Sequence, residues 1–196
     1  MKYVIIAVTA YLLGSFCASI PLSKRAYGDD VRSHGSGNAG ATNVARVYGL
    51  KAGLITLACD VAKTVIAMLL GFYLGGELGK AIGGMFCITG HCFPLYFGFK
   101  GGKGVSVGVA IGMLTGLGEF AIIAVVFFAT VFISRKVSLS SMLAAIMLPI
   151  ATALLGEGPE ILAMNIFCAV IIVVMHRENI KRLINGTEPD FKPKKS

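Results

Sequence analysis

Apolar residues in this chain fall into long, nearly uninterrupted blocks separated by short polar stretches. They neither alternate nor mark one face of an amphipathic helix. Seven blocks can be traced: Tyr3–Leu22, Leu50–Leu74, Leu78–Phe97, Val105–Leu117, Phe120–Ile133, Leu139–Leu155 and Ile161–Met175. A helix that is apolar all round belongs in a core or a bilayer, and roughly 20 such residues span the hydrocarbon. The pattern predicts an all-α, polytopic membrane bundle of about seven transmembrane helices. The fourth block is the shortest and could run into the fifth as one helix. The sequence Gly116-Leu117-Gly118-Glu119 argues for a break, because Glu119 would be expensive at the centre of a span. A five-helix variant, with the fourth and fifth blocks half-inserted, keeps the same sides.

The composition agrees. Of 196 residues, 56% are hydrophobic and 14% charged, and the mean hydropathy is +0.79. This is one integral-membrane domain over residues 1–196. The net charge of +8 then bears on orientation and anionic partners, since no arginine-rich stripe interleaved with aromatics offers a nucleic-acid face. The five cysteines lie in apolar runs without a C-x-x-C pair and read as small buried hydrophobes. The first block follows a single Lys2 and lacks a small-residue cleavage site, which favours a first membrane helix over a signal peptide.

Charge asymmetry sets the expected orientation. With the N-terminus outside and seven crossings, 15 of the 18 basic residues fall in the inner loops and tail, including Lys192, Lys194 and Lys195. The outer turns carry Glu77, Glu119, Glu157 and Glu160 instead. The positive-inside rule favours a cytoplasmic C-terminus, and function is expected at that face.

Three inner segments carry polar chemistry. Residues 35–46 read GSGNAGATNVAR, with Ser36, Asn38 and Asn43 as neutral hydrogen-bonding groups and Arg46 able to grip phosphate bidentately. The competing reading is a polar loop with a helix cap at Thr42 or Asn43. Residues 98–104 read GFKGGKG. Consecutive glycines can turn several N–H groups toward one point, and Lys100 and Lys103 add charge there, so Gly101, Gly102, Lys103 and Gly104 suit a phosphate. This is not a Walker A motif, and the bland alternative is a tight interhelical turn. The third segment, from His176, places His176 and Asn179 one helical turn apart, followed by Glu188. Ser140 and Ser141 at the start of the sixth block are either donors to a phosphate or helix N-caps.

Two further patterns stand out. Glycines recur every fourth residue at Gly104, Gly108, Gly112 and Gly116, and at Gly71, Gly75, Gly79 and Gly83, a spacing that lets helices approach closely. The second set crosses a turn expected near Gly76-Glu77. Asp60 and Lys63 are the clearly intramembrane charges and share a helix face. Their depth, some ten residues from the inner end, puts them far from the glycine-rich loop along the helix. They read as a structural ion pair, with a site role left open.

Taken together, GSGNAGATNVAR (35–46), GHCFPLYFGFKGGKGV (90–105) and HRENIKRLINGTE (176–188) resemble the bacterial integral-membrane glycerol-3-phosphate acyltransferases that use acyl phosphate. The resemblance covers essentially the whole chain. It implies acyl transfer from a long-chain acyl phosphate to the sn-1 hydroxyl of glycerol 3-phosphate, at the cytoplasmic face of the bacterial plasma membrane, without metal, cofactor or obligate protein partner. It implies catalytic roles for Ser36, His176 and Asn179. Substrate-binding roles follow for Asn38, Asn43, Arg46, Lys100, Gly101, Gly102, Lys103, Gly104, Ser141 and Glu188. No His-x4-Asp dyad is present. The general base is therefore His176 or the substrate's own phosphate.

Two other classes compete. A phosphate-ester transporter would place its site near the midplane between inverted repeats, whereas here the polar groups gather at one face. A phosphatidyltransferase that uses CDP-activated alcohols needs an Asp-rich metal motif, and only Asp29 and Asp30 are adjacent.

Overall fold

A computed structural model describes residues 1–190. Lys192, Lys194 and Lys195 of the charge tally lie outside the described residues. The described chain is helical: α1 (Lys2–Ser15), α2 (Ser19–Tyr27), α3 (Ala41–Tyr48), α4 (Leu50–Cys92), α5 (Val105–Thr115), α6 (Leu117–Ser134), α7 (Val137–Leu155), α8 (Pro159–Met175) and α9 (Arg177–Ile184). By length and composition four of its helical units could cross a membrane, or five if the bent α8–α9 pair counts as one span. In that count α1 with α2 is one unit and α4 is another.

The unit α4 holds two of the seven apolar blocks. It folds back on itself at Gly76, whose backbone (φ 65°, ψ −152°) leaves the helical region. The two arms press together so closely that a Cβ on Gly71 would lie 2.2 Å from the Gly79 carbonyl oxygen. The Gly71 to Gly83 spacing is thus used across a hairpin and not along one stripe. The break between α5 and α6 comes at Gly116, as the sequence suggests. With 11 residues α5 is roughly 16 Å long, about half the hydrocarbon core. Glu119, expected in an outer turn, is buried in the first turn of α6, where the helix N-terminus favours a carboxylate.

Two boundaries differ from expectation, with consequences for the site. The first block breaks at Phe16–Ala18 into α1 and α2. The third block ends as a helix at Cys92 and not at Phe97, because Pro94 lacks an N–H and disfavours the helical conformation for Phe93 before it. His91 therefore sits in the last turn of α4.

The core lies where α1, both arms of α4, α5 and α8 meet, built from Met68, Ile88, Val107, Ile111, Met164 and Ile172. By contrast α6 is peripheral, with Val125, Phe128 and Phe132 turned outward. Such a surface suits lipid and not water.

Candidate active site

At one end of the bundle the polar segments gather over a cavity of about 800 Å³. Its inner arm is apolar, walled by Ile123 and Phe127 of α6, Leu148 of α7, and Cys168 and Ile172 of α8. Its mouth is polar, lined by Ser36, Asn38, Arg46, Lys103, His176, Asn179, Arg182 and Glu188. The three sequence motifs are thus brought to one place.

The first motif is a loop leading into α3. Asn43 organises it from within. Its Nδ2 donates to the carbonyls of Val31, His34 and Asn38, and its Oδ1 accepts from the Ser36 amide. That set uses both N–H donors and one of the two acceptor positions of the side chain. Asn43, expected to bind substrate, also lines the cavity, and its hydrogen bonds hold the loop in shape. Asn38 likewise accepts from the Gly40 amide and donates to Gly101, tying the first motif to the second. One turn beyond Asn43, Arg46 reaches the cavity, and among the described residues no carboxylate pairs with it.

The second motif works differently from the phosphate cradle its glycines suggest. The amides of Gly101 and Gly102 donate to the carbonyls of Cys92 and His91 at the C-terminus of α4. They satisfy orphan helix carbonyls and are not free for a ligand. The glycines are needed for contact: a Cβ on Gly101 would lie 2.0 Å from the His91 carbonyl, and one on Gly102 would lie 2.0 Å from His91 Nε2. Gly104 starts α5 at φ 83°. Lys100 is exposed and outside the cavity, and its carbonyl accepts from Arg32. Arg32 also holds Phe97 while paired with Asp30, so it anchors this loop to the first. Lys103 is the one side chain of the turn that enters the cavity. Burial, with Arg182 and Arg46 nearby, lowers its pKa to about 8, against a partial opposing effect of Glu188.

The third motif supplies His176, Asn179 and Glu188. His176 lies at the bend between α8 and α9, past the end of the apolar helix. Its Nδ1 is 2.7 Å from the Ile172 carbonyl, which can only accept, so Nδ1 carries the proton and Nε2 the lone pair. Burial is the main cause that lowers its pKa to about 4, and the imidazole is neutral at pH 7. Glu188 binds three partners: Oε1 accepts from Asn179 (2.7 Å) and Ser138 (2.6 Å), and Oε2 from Arg182 (2.7 Å). Those donors hold its carboxyl below the usual range despite burial. Lys103 in turn donates to Asn179 Oδ1.

Along α7, Ser141 lines the cavity as expected, with its hydroxyl donating back to Val137. Ser140 is fully buried, bonded to Lys136, and lies outside the cavity. The serine that shares Ser141's face is Ser138, missed in the sequence although the i,i+3 spacing carries the signal. Thr42 and His91, also in the lining, were not singled out as site groups.

Among the described residues the mouth holds three cations, Arg46, Lys103 and Arg182, against one carboxylate, Glu188. Such a charge balance suits an anion, and an apolar wall suits a hydrocarbon chain. Among the described residues no three His, Cys, Asp or Glu side chains gather as a metal site would require.

The comparisons with known proteins point the same way. The glycerol-3-phosphate acyltransferase family model matches residues 4–186. A glycerol-3-phosphate acyltransferase of Desulfotalea psychrophila is 41% identical over 97% of this chain and 98% of its own length. Glycerol-3-phosphate acyltransferase 2 of Bacillus cereus is 40% identical over 93% of this chain and 91% of its own. The crystal structure of PlsY (YgiH), an integral membrane glycerol 3-phosphate acyltransferase, in its glycerol 3-phosphate form superposes with a TM-score of 0.92 at 33% identity, covering 98% of this chain and 96% of that one. Its lysophosphatidic acid form gives a TM-score of 0.88. By sequence, motif order and structure the chain belongs to the glycerol-3-phosphate acyltransferase family.

Proposed function

We propose that this chain transfers a long-chain acyl group from acyl phosphate to the sn-1 hydroxyl of glycerol 3-phosphate, yielding 1-acyl-glycerol 3-phosphate and inorganic phosphate. The observation that carries this reading is a single cavity lined both by the cations Arg46 and Lys103 and by the apolar side chains of α6, α7 and α8. A long chain ending in a phosphate fits a cavity of that kind. The glycerol 3-phosphate and lysophosphatidic acid forms of the solved relative support the acceptor and the product.

Acyl phosphate is a mixed anhydride, already activated, so the protein's task is positioning and charge neutralisation. The acceptor oxygen bonds to the acyl carbon, the bond from that carbon to the phosphate oxygen breaks, and the hydroxyl proton leaves with a base. Lys103 holds the phosphate of glycerol 3-phosphate and Arg46 that of the acyl phosphate. Asn179 and Glu188 hold Lys103 and Arg182 in place, and Ser36, Asn38 and Ser141 complete the polar lining. His176 at about 4 is a weak base. A phosphate monoester with a second pKa of about 6 is better matched to neutral pH, which favours the substrate's own phosphate as the base. His176 Nε2 then accepts a hydrogen bond from the acceptor's non-reacting sn-2 hydroxyl and so orients the glycerol without taking the reacting proton. No cofactor or metal enters this scheme.

We place the enzyme in a bacterial plasma membrane, crossing it seven times, with the N-terminus outside and the site facing the cytoplasm. The skew of 15 of 18 basic residues toward the inner loops and tail expected from the sequence supports this side. The test is product formation by the purified protein given palmitoyl phosphate and glycerol 3-phosphate without added metal. Lysophosphatidic acid is expected with this donor and not with palmitoyl-CoA. Equal rates with both donors refute the donor assignment, and no product refutes the function.

A further inference from the structure

The intramembrane charges Asp60 and Lys63 turn out to lie directly beneath the glycine-rich turn. Because α4 ends at Cys92, the chain folds back and sets Gly102 against the His91 ring. The same ring touches the buried ion pair on its other side. Lys63 Nζ lies 2.8 Å from Asp60 Oδ1 and 3.1 Å from His91 Nδ1, and Asp60 Oδ1 lies 3.4 Å from that nitrogen. Lys63 also donates to the carbonyls of Gly14 and Phe16, the orphan acceptors where α1 breaks from α2. All three side chains are at least 94% buried.

A plain helix-packing contact in lipid needs no charge, and burying two is costly unless geometry is gained. The geometry gained here is specific. One ammonium ties the end of α1 and both arms of α4 to a single imidazole. That imidazole packs under Gly102, and the His91 backbone carbonyl accepts from the Gly102 amide. Lys103, the cation that enters the cavity, is the next residue.

We propose that Asp60, Lys63 and His91 form a buried strut that fixes the height of the Gly101–Gly102 turn and so positions the Lys103 ammonium on the acceptor's phosphate. They are positioning residues that act through Lys103. The inference rests on the reading that Lys103 binds glycerol 3-phosphate.

Two variants test it. Asp60→Asn/Lys63→Met removes both charges together and leaves no unpaired ion. His91→Gln keeps a group that can donate or accept beside Asp60 and Lys63 but removes the ring under Gly102. Glycerol 3-phosphate binding is measured by calorimetry on the purified protein, and the donor KM and turnover with palmitoyl phosphate. Acceptor affinity is expected to fall about tenfold or more in each variant while donor KM changes by less than about twofold. In a Lys103→Ala background the same changes should add almost nothing, because residues acting through one group are not additive. Unchanged acceptor affinity, a parallel loss for donor and acceptor, or full additivity with Lys103→Ala overturns the proposal. If the double variant does not fold, His91→Gln alone decides. If neither folds, the network is a folding element and the proposal is overturned. Wild-type protein that forms no product with either donor would refute the function itself and leave the strut aside.

Discussion

Lys103 donates to Asn179 Oδ1 over 2.5 Å, joining the glycine-rich turn to α9 across 76 positions of sequence. The amide's orientation is set from its other end, where Nδ2 donates to Glu188. Asn179 therefore presents its carbonyl to the ammonium and takes one of three N–H donors, leaving two for a ligand.

Lys103→Ala removes those donors and leaves Asn179 Oδ1 facing the cavity. A hydrogen bond to a charged group contributes about 1.5–3 kcal/mol, so acceptor binding should weaken roughly 10- to 150-fold. Steady-state kinetics with varied glycerol 3-phosphate would show this as a raised KM. Unchanged KM and turnover would remove Lys103 from the phosphate site.

The depressed pKa of Lys103 gives a pH signature. The side chain is a cation below about 8 and loses its charge as pH rises through that value. The kcat/KM for glycerol 3-phosphate, which reports the free enzyme, should fall above about pH 8. Turnover at saturation should hold to higher pH, since a bound dianion stabilises the ammonium. Lys103→Arg should abolish the alkaline limb, because a guanidinium stays charged throughout. A limb that persists in Lys103→Arg belongs to another group.

The helices and the three motifs were legible in the sequence because bilayer-length apolar blocks and glycine-rich polar segments are local signals. The functional roles within the motifs were less so. The sequence shows that Gly101 and Gly102 are small. It does not show whether their amides point to a ligand or, as here, to the carbonyls of His91 and Cys92. Asn43 has the composition of a binding group, yet its four hydrogen bonds all go to its own loop. Distance along the helix overstates the separation of Lys63 from the glycine-rich turn. Pro94 ends α4 early, and the loop folds back to the level of His91. Tertiary hairpins of this kind leave no local periodicity to read.

His176→Asn separates a proton acceptor from an orienting group. Burial and the nearby Lys103 hold the imidazole at about 4, and its Nε2 lone pair remains available as a hydrogen-bond acceptor. If the substrate phosphate takes the proton, the variant should lose less than about 100-fold in turnover, below most general-base losses of about 10²–10⁴. The acidic limb of kcat/KM should stay near about pH 6 in both proteins, because it then belongs to the phosphate. A larger loss, with the limb displaced, would make His176 the base.

Gly102→Ala tests the turn from the loop side. Its Cβ would lie 2.0 Å from His91 Nε2, a separation that real atoms do not adopt. His91 cannot swing away freely, since Lys63 and Asp60 hold its Nδ1 edge. The turn must therefore lift, and Lys103 with it. Gly98→Ala is the matched control within the same loop. Its φ of 66° strains any side chain by roughly 1–2 kcal/mol, but its Cβ would meet nothing within 4 Å. Gly102→Ala is expected to raise the KM for glycerol 3-phosphate by about tenfold or more, and Gly98→Ala by less than about threefold. The contrast isolates the contact with the ring from the general cost of stiffening a glycine loop. Equal kinetic constants for the two variants would mean that the surface beneath Gly102 does not set the position of Lys103.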